Sequence, residues 1–212
     1  MKNVPEIISV LKRTYPDAKI ALNFEDTWQL LVAVVLSAQC TDVRVNMVTP
    51  PLFKKYPHVK DFANCDIEDL EKMIYSTGFY KNKTKNIKAA AEMVVGDFGG
   101  KVPSTMEELL EIPGVARKTA NVILHSGFGR CEGVVVDTHV IRLSGKFKWV
   151  PRKYVESKNA VKIEQELMKL VSKKDWGKLS HLLIFHGRNT CIARRPKCKE
   201  CPLSQICPSS EV

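Results

Sequence analysis

The sequence predicts an all-α fold, and three observations lead to this prediction. Almost every segment repeats its apolar residues at the spacing of a helix face rather than in the alternation of a strand. The strongest strand candidate is the run 134–136, and three residues are too few to build a sheet. No internal repeat and no low-complexity linker breaks the pattern. We therefore expect many short helices packed together.

The first two helices are indicated by an apolar face and by a cap residue. The first is expected to end before Pro16, and its apolar face consists of Val4, Ile7, Ile8 and Leu11. Asp26 is expected to cap the second helix, because an aspartate there accepts hydrogen bonds from amides of the first turn. The residues that follow, 27–36, are apolar enough to lie at the centre of a bundle.

Prolines and glycines bound the helices of the middle region. A third helix is expected to pass Val45 and to stop at Pro50, before a short helical piece at 52–56. Asp66 is expected to open the next helix, and Gly78 to end it.

A long basic helix is expected to start at Phe79 and Tyr80 and to close near Gly99. Its first half carries Lys81, Lys83, Lys85 and Lys88. We expect these lysines to be mostly solvated, with one or two of them near a phosphate.

The stretch from Ser104 to His139 predicts a helix, a tight turn, a second helix and a short loop. Ser104 and the glutamate three residues later have the spacing of a capping box, and the Pro-Gly pair ending at Gly114 stops the first helix. The second helix places Lys118 in its first turn, where the helix dipole is positive and a cation is unusual. The apolar run 134–136 then leads to Asp137. Further helices are expected at about 137–146, 156–171 and 175–185.

Composition and charge restrict the class of protein. The chain has 212 residues, 44% of them hydrophobic, which is enough for one large or two small globular domains. Its net charge of +10 favours a polyanionic partner such as nucleic acid. The longest apolar run, 30–36, is far shorter than the roughly 20 residues of a membrane span, and the N-terminus does not resemble a signal peptide. We expect a cytoplasmic protein.

Four of the seven cysteines lie close together near the C-terminus, and they are Cys191, Cys198, Cys201 and Cys207. An odd total argues against a disulfide framework, so these four thiols are predicted to bind a metal. Tetrahedral zinc and an iron–sulfur cluster both accept four thiolates. Because zinc ribbons usually carry two C-x2-C pairs and this segment has one, the spacing favours a cluster. Cations interleave with these cysteines and predict phosphate contacts: Arg188, Arg194, Arg195 and Lys197.

Four separated motifs, together with the cysteine spacing, resemble the endonuclease III family over essentially the whole chain. They are LSAQCTD at 36–42, IPGVARKTAN at 112–121, VDTH at 136–139 and HGRNTC at 186–191. This family consists of iron–sulfur, bifunctional DNA glycosylases with abasic-site (AP) lyase activity, in the helix-hairpin-helix superfamily. The chain is therefore identified as a member of that family on its motifs.

The resemblance implies two helical domains with a DNA-binding groove between them. A helix-hairpin-helix bundle would span 19–130, and a domain of 1–18 with 131–212 would hold a [4Fe–4S] cluster on the four cysteines. The expected substrates are oxidised pyrimidines and abasic sites in double-stranded DNA. We expect a monomer associated with the nucleoid.

The resemblance also assigns the chemistry to a lysine and an aspartate. Lys118 matches the nucleophile, which must be a neutral amine to attack C1′. The helix dipole, the neighbouring Arg117 and partial burial are expected to favour the neutral form. Asp137 matches the carboxylate that stabilises the sugar cation and assists proton transfer. The alternative role for Asp137 is a helix N-cap, and both roles are compatible.

Further positions match the family's DNA contacts. Backbone amides of the hairpin, at Gly114, Ala116 and Arg117, are expected to bind a phosphate, and Ala116 stands where many members have a second glycine. Gln39 is expected to fill the gap that the extruded base leaves, and Phe79 to act as an apolar wedge. His139 and Asp42 match positions that line the base pocket, and a purely structural role fits each of them equally well.

Two other functions fit parts of the sequence. A monofunctional glycosylase for mismatched bases shares the fold, but such enzymes lack a lysine at the position of Lys118. A non-catalytic iron–sulfur DNA-binding protein would share everything except the pair of Lys118 and Asp137. Trapping of a covalent DNA adduct distinguishes both from a lyase.

Overall fold

The computed structural model describes residues 3–212, and every regular element in this part of the chain is helical. The prediction of an all-α fold is confirmed. The α-helices in chain order are α1 Val4–Thr14, α2 Thr27–Ser37, α3 Asp42–Lys55, α4 Val59–Ala63, α5 Ile67–Ile74, α6 Tyr80–Gly96, α7 Met106–Glu111, α8 Arg117–Phe128, α9 Thr138–Lys146, α10 Arg152–Glu156, α11 Ala160–Leu170 and α12 Trp176–Asn189. Short 3-10 turns lie at Tyr75–Thr77, Lys173–Asp175 and Cys198–Glu200. Among these helices, within residues 3–212, none is long and apolar enough to cross a membrane.

The chain divides into two compact units. We call Ala21–Glu132, which contains α2 to α8, the hairpin unit. The described residues up to Ile20 together with Gly133–Val212 form the cysteine unit, which contains α1 and α9 to α12.

The hairpin unit is built around α2, as its apolar sequence predicts. Leu30, Leu31, Val32 and Ala33 have no exposed surface, and α2 packs against α3, α6 and α8. The side chain of Asp26 accepts a hydrogen bond from the amide of Gln29 at 2.8 Å, so the predicted cap is confirmed.

The third helix does not stop at its prolines, and that prediction is wrong. α3 continues through Pro50 and Pro51 to Lys55 and includes the piece expected as a separate helix. Each proline removes one amide donor, which leaves a carbonyl four residues earlier without its helical partner. Both prolines lie on the exposed side of the helix, where water can reach those carbonyls, while Val48 and Leu52 are buried on the other side.

The cap of α7 lies one residue later than predicted. Thr105, not Ser104, is the N-cap residue, and its hydroxyl oxygen accepts from the amide of Glu108 at 3.3 Å. The Thr105 hydroxyl and the Glu108 carboxylate are also hydrogen-bonded at 2.7 Å. Ser104 instead accepts hydrogen bonds from the guanidinium of Arg130.

The cysteine unit packs α1 and α9 against α12. The apolar face predicted for α1 is buried, and Trp149 has no exposed surface. The helix predicted at 156–171 is interrupted: α10 ends at Glu156, and α11 begins at Ala160 after Lys158 adopts a φ of +51°. Asn159 then caps α11 by accepting from the amide of Lys162 at 3.0 Å.

Candidate functional site

The turn between α7 and α8 depends on a glycine at position 114. Gly114 has a φ of +82°, in the left-handed region that favours glycine. A Cβ atom at this position would also lie only 2.9 Å from the Cβ of Asn86. The amide of Val115 donates to the carbonyl of Ile112 at 3.0 Å and closes the turn. Backbone conformation and the approach of α6 therefore both require a glycine here.

Ala116 is the N-cap residue of α8, and its methyl group fits without strain. Its φ of −93° and ψ of 168° are ordinary extended backbone. Alanine has no side-chain acceptor, so it cannot bind the amides of the first turn of α8 as Ser, Thr or Asp would. No side chain at the N-cap therefore competes with an external anion for these amides.

Lys118 is the second residue of α8, and its side chain is exposed. The expected partial burial is wrong, because the buried face of α8 is formed by other residues: Ala120, Ile123 and Leu124. The helix thus anchors itself in the hairpin unit through that face and presents Lys118 to the outside.

Gln39 and Phe79 share an unusual backbone conformation. Both are exposed, Phe79 by 62%, and both have a left-handed φ, of 52° and 51° respectively. Such a φ is uncommon for a residue other than glycine. Each follows the end of a helical segment, Gln39 after α2 and Phe79 after the turn Tyr75–Thr77.

Two of the four lysines on α6 are not solvated, contrary to the prediction. Lys83 is only 4% exposed, and its ammonium donates to the carbonyls of Leu36 and Thr77. Lys88 is half-buried and donates to the carbonyls of Ala63 and Cys65, at 2.6 and 3.1 Å. Lys81 and Lys85 are exposed, as predicted.

Asp137 caps α9 in the cysteine unit. Its Oδ1 atom accepts from the amide of Val140 at 2.8 Å, and the residue is half-buried. The cap fixes the orientation of the carboxylate and uses one oxygen, so Oδ2 can serve a reactant.

His139, in the first turn of the same helix, is half-buried, and its burial lowers the pKa of the imidazole below the usual 6.5. A neutral ring follows at pH 7.

Arg142 connects α9 to the first cysteine. Its Nη2 atom donates to the carbonyl of Gly187 at 3.1 Å and to that of Cys191 at 3.0 Å. Gly187 permits this contact, since a Cβ atom there would lie 2.6 Å from Nδ1 of His139 and 2.8 Å from Nη2 of Arg142. The helix that carries Asp137 is therefore tied to the start of the cysteine segment.

All four clustered cysteines line one cavity in the cysteine unit, together with His186. Within residues 3–212, no three His, Cys, Asp or Glu side chains are arranged to hold a single metal ion. Burial raises the pKa of the Cys191 and Cys201 thiols, although coordination to a metal would hold them deprotonated.

His186 contacts this cavity from a buried position. Burial lowers the pKa of His186 to about 4, so its imidazole is neutral at pH 7. Nδ1 lies 3.2 Å from the hydroxyl of Tyr15 and Nε2 lies 3.7 Å from the sulfur of Cys201. When the Tyr15 hydroxyl donates to Nδ1, the Nε2–H group faces the sulfur.

The cations predicted around the cysteines lie at the surface of the cysteine unit. Arg188, Arg194, Arg195 and Lys197 are all exposed. The segment that carries them is held by its backbone, through the amide of Lys197 donating to the carbonyl of Thr190 at 3.0 Å. The structure thus offers them to a polyanion.

Comparison with known proteins gives the family. Residues 32–173 match the HhH-GPD superfamily of base excision DNA repair proteins. The chain belongs to this superfamily. It is 49% identical to endonuclease III of Synechocystis sp. (97% of this chain, 92% of the relative) and 36% identical to that of Escherichia coli K12 (97% and 95%). Within the HhH-GPD superfamily it is therefore a member of the endonuclease III family of DNA glycosylases and AP lyases.

Solved structures agree with this HhH-GPD assignment. A trapped covalent intermediate of endonuclease III with DNA is 38% identical and superposes with a TM-score of 0.91, covering 98% of this chain and 95% of that one. A thermostable thymine-DNA glycosylase superposes with a TM-score of 0.81 over 98% and 96% of the two chains. At 20% identity, the second likeness supports the fold alone.

Sequence reasoning missed four residues of this HhH-GPD protein that hold functional segments in place. Lys83 was hidden in a run of lysines, and Arg142 lies in no motif. His186 and the neighbouring Gly187 open the HGRNTC motif, so a signal for them existed, but the contacts that need them come from elsewhere in the fold.

Proposed function

We propose that the protein removes oxidised pyrimidines from double-stranded DNA and cleaves the strand at the resulting abasic site, with Lys118 as the nucleophile. It would act as a monomer on the DNA of the nucleoid, in the cytoplasm. One observation carries the proposal: Lys118 lies exposed in the first turn of α8, behind a glycine-dependent hairpin, in a chain similar to an endonuclease III trapped covalently on DNA.

The reaction begins when the neutral amine of Lys118 attacks C1′ of the damaged nucleoside. The new C1′–N bond replaces the glycosidic bond, and the base leaves with its electron pair and a proton. The sugar ring opens to give an imine between Lys118 and the deoxyribose. Loss of a C2′ proton then expels the 3′ phosphate by β-elimination, and water hydrolyses the imine to release the enzyme.

Asp137 supplies the charge and the proton acceptor that this attack needs. A carboxylate stabilises the positive charge that develops on the sugar as the base departs. It also accepts a proton from the lysine ammonium, which generates the reactive amine. The bond to the amide of Val140 supports this role because it holds one carboxylate oxygen and leaves the other for the reactants.

DNA binding would use the hairpin and the exposed cations. The first-turn amides of α8, which Ala116 cannot cap, suit a phosphate, and positive charge at a helix start favours an anion. Arg117 and the four surface cations of the cysteine unit add electrostatic attraction to the backbone. Gln39 and Phe79 would enter the duplex in place of the extruded base.

We further propose that the four clustered cysteines hold a [4Fe–4S] cluster. A tetrahedral zinc ion gathers its four ligands around one point, whereas a four-iron cluster takes one cysteine at each iron. Four thiols that line one cavity can supply these four separate ligands. When bound, it would cross-link the segment that carries Arg194, Arg195 and Lys197.

Borohydride trapping tests the central proposal. Incubation with an abasic-site duplex and sodium borohydride should reduce the imine and leave a covalent protein–DNA adduct. Lys118→Ala should abolish the adduct, while Lys85→Ala, which removes an exposed lysine of α6, should leave it intact. A wild-type protein that forms no adduct would show that the lyase proposal is wrong.

Asp137→Asn separates capping from catalysis. Asparagine caps helices as well as aspartate does, so α9 should remain folded. We expect base excision from an oxidised-pyrimidine duplex to slow by about 10²–10⁴-fold. Single-turnover rates compared with the thermal stability of the same variant check this, and an unchanged rate would assign Asp137 to capping alone.

A further inference from the structure

Lys83 is a buried cation inside the hairpin unit that the proposed chemistry does not use. It is the fourth residue of α6 and is 4% exposed. Burial lowers the pKa of its ammonium, because desolvation disfavours the charged form. A lysine kept in such a place needs strong hydrogen-bond acceptors, and it has two.

The first acceptor is the carbonyl of Leu36, 2.8 Å from Nζ. In a continuing helix this carbonyl would accept from the amide of Cys40. That amide instead bonds the carbonyl of Ser37 at 3.1 Å, because the chain turns at Gln39. Leu36 has no exposed surface, so Lys83 satisfies a carbonyl that water cannot easily reach.

The second acceptor is the carbonyl of Thr77, 2.9 Å from Nζ. Thr77 is 2% exposed and lies just before Gly78, whose φ is +70°, and Phe79. The backbone of Lys83 takes part as well, since its amide donates to the carbonyl of Phe79 at 3.1 Å.

The side chain of Lys83 therefore binds the backbone shortly before each of two separate exposed residues, Gln39 and Phe79. Gln39 follows Leu36 by three residues, and Phe79 follows Thr77 by two. Both adopt a left-handed backbone that costs free energy for a residue with a Cβ atom and persists only where the surroundings enforce it. The ammonium of Lys83 is hydrogen-bonded to both of the backbone segments that precede these two residues.

We propose that Lys83 is a positioning residue for base extrusion, which holds the Gln39 and Phe79 turns in one fixed arrangement so that both side chains enter the duplex together. The inference rests on the proposed function, in which these two residues occupy the space that the base vacates. Because Lys83 fixes the two turns relative to each other, Gln39 and Phe79 would enter the duplex in a single event rather than independently.

Lys88 provides a matched comparison on the same helix. Its ammonium also donates to two backbone carbonyls, but these belong to Ala63 and Cys65 rather than to the turns at Gln39 and Phe79. Removal of either lysine leaves buried acceptors unsatisfied and should lower stability. Only the loss of Lys83 should also alter insertion.

The experiment compares Lys83→Met with Lys88→Met in the full-length protein. Binding is measured to a duplex with a tetrahydrofuran abasic analogue and to the same duplex undamaged, with 2-aminopurine opposite the analogue to report insertion. We expect Lys83→Met to lose about tenfold of the discrimination between the two duplexes and most of the fluorescence change. Lys88→Met should keep both within about twofold of the wild type.

Two additions separate this inference from the proposed function. Borohydride trapping on a single-stranded abasic oligonucleotide, where no partner strand is displaced, should be equal for wild type and Lys83→Met. In a Phe79→Ala background, Lys83→Met should add little further loss of discrimination, because the joint insertion of Gln39 and Phe79 already fails when one of the two side chains is missing.

The outcomes are distinct. Discrimination lost in Lys83→Met alone supports the inference, whereas equal values for the variants at 83 and 88 would overturn it. A wild type that traps no DNA would overturn the proposed function and this inference with it. If Lys83→Met does not fold, Lys83→Gln replaces it: its shorter amide keeps donors but cannot span both carbonyls, and the same losses are expected.

Discussion

The hairpin and the cysteine segment hold their functional residues by different means. Across the hairpin, α7 and α8 bury apolar side chains on both sides of the turn: Met106, Leu109, Ile112, Val115, Ala120, Ile123 and Leu124. Of residues 191–207, all of which the structure describes, only Leu203 is buried. The hairpin is therefore stabilised by its own core, and the cysteine segment is not.

This difference shows what a bound cluster would contribute. A segment with one fully buried side chain and a few partly buried ones gains less from the hydrophobic effect than the hairpin does, against the same conformational entropy of ordering each residue. Metal ligation supplies the missing free energy in such segments, and metal binding is then coupled to folding. The backbone bond from Lys197 to Thr190 and the contact from Arg142 hold the first part of the segment, and His186 contacts Cys201 farther along.

The largest expected effect comes from removal of one cysteine ligand. Cys201→Ala should abolish the proposed cluster and release the segment 191–207, because little else orders it. Hydrogen exchange should accelerate strongly in that segment and change little in α8. Iron and sulfide analysis confirms the loss of the cluster.

Cys131→Ala is the control for this variant, since it removes a half-buried thiol of the hairpin unit. It should leave both the metal content and the exchange of the segment 191–207 unchanged. If Cys201→Ala accelerated exchange equally in α8, the contrast between the two regions would be wrong.

A change at Gly114 tests the claim that the hairpin depends on its backbone. Gly114→Ala should cost about 1–3 kcal/mol for the left-handed φ alone. The clash with Asn86 adds to this unless α6 shifts. Urea denaturation measures the loss, and trapping on abasic DNA should weaken in parallel because Lys118 follows the turn. A variant as stable as the wild type would show that the turn can adopt another shape.

Local signals in the sequence predicted much of this arrangement. Asp26, Asp66 and Asp137 all act as caps, as expected, since each accepts a hydrogen bond from an amide three residues later. Capping depends on a few consecutive residues, and the sequence contains all of them. The stop at Gly114 was predictable for the same reason.

Features that depend on distant parts of the chain could not be predicted. Lys83 and Lys88 look like members of a solvated lysine run, and their burial follows from where the ends of other helices lie. The continuation of α3 past Pro50 likewise depends on the burial of Val48 and Leu52 against the rest of the unit. Sequence patterns indicate that a buried charge or a proline inside a helix costs free energy. Whether packing elsewhere in the fold offsets that cost depends on tertiary structure.

The smallest expected effect is that of Ala116→Gly, the counterpart of Gly114→Ala two residues away. Glycine widens the unfolded ensemble and so costs about 0.4–1 kcal/mol at a position where alanine is unstrained, as the φ of −93° shows. Against this, glycine is a better N-cap than alanine by roughly the same amount. The two terms oppose each other, so the free energy of unfolding should change by less than about 0.5 kcal/mol. Urea denaturation beside Gly114→Ala checks this, and a loss comparable to that variant's would mean that the methyl group of Ala116 stabilises the turn as much as the backbone of Gly114 does.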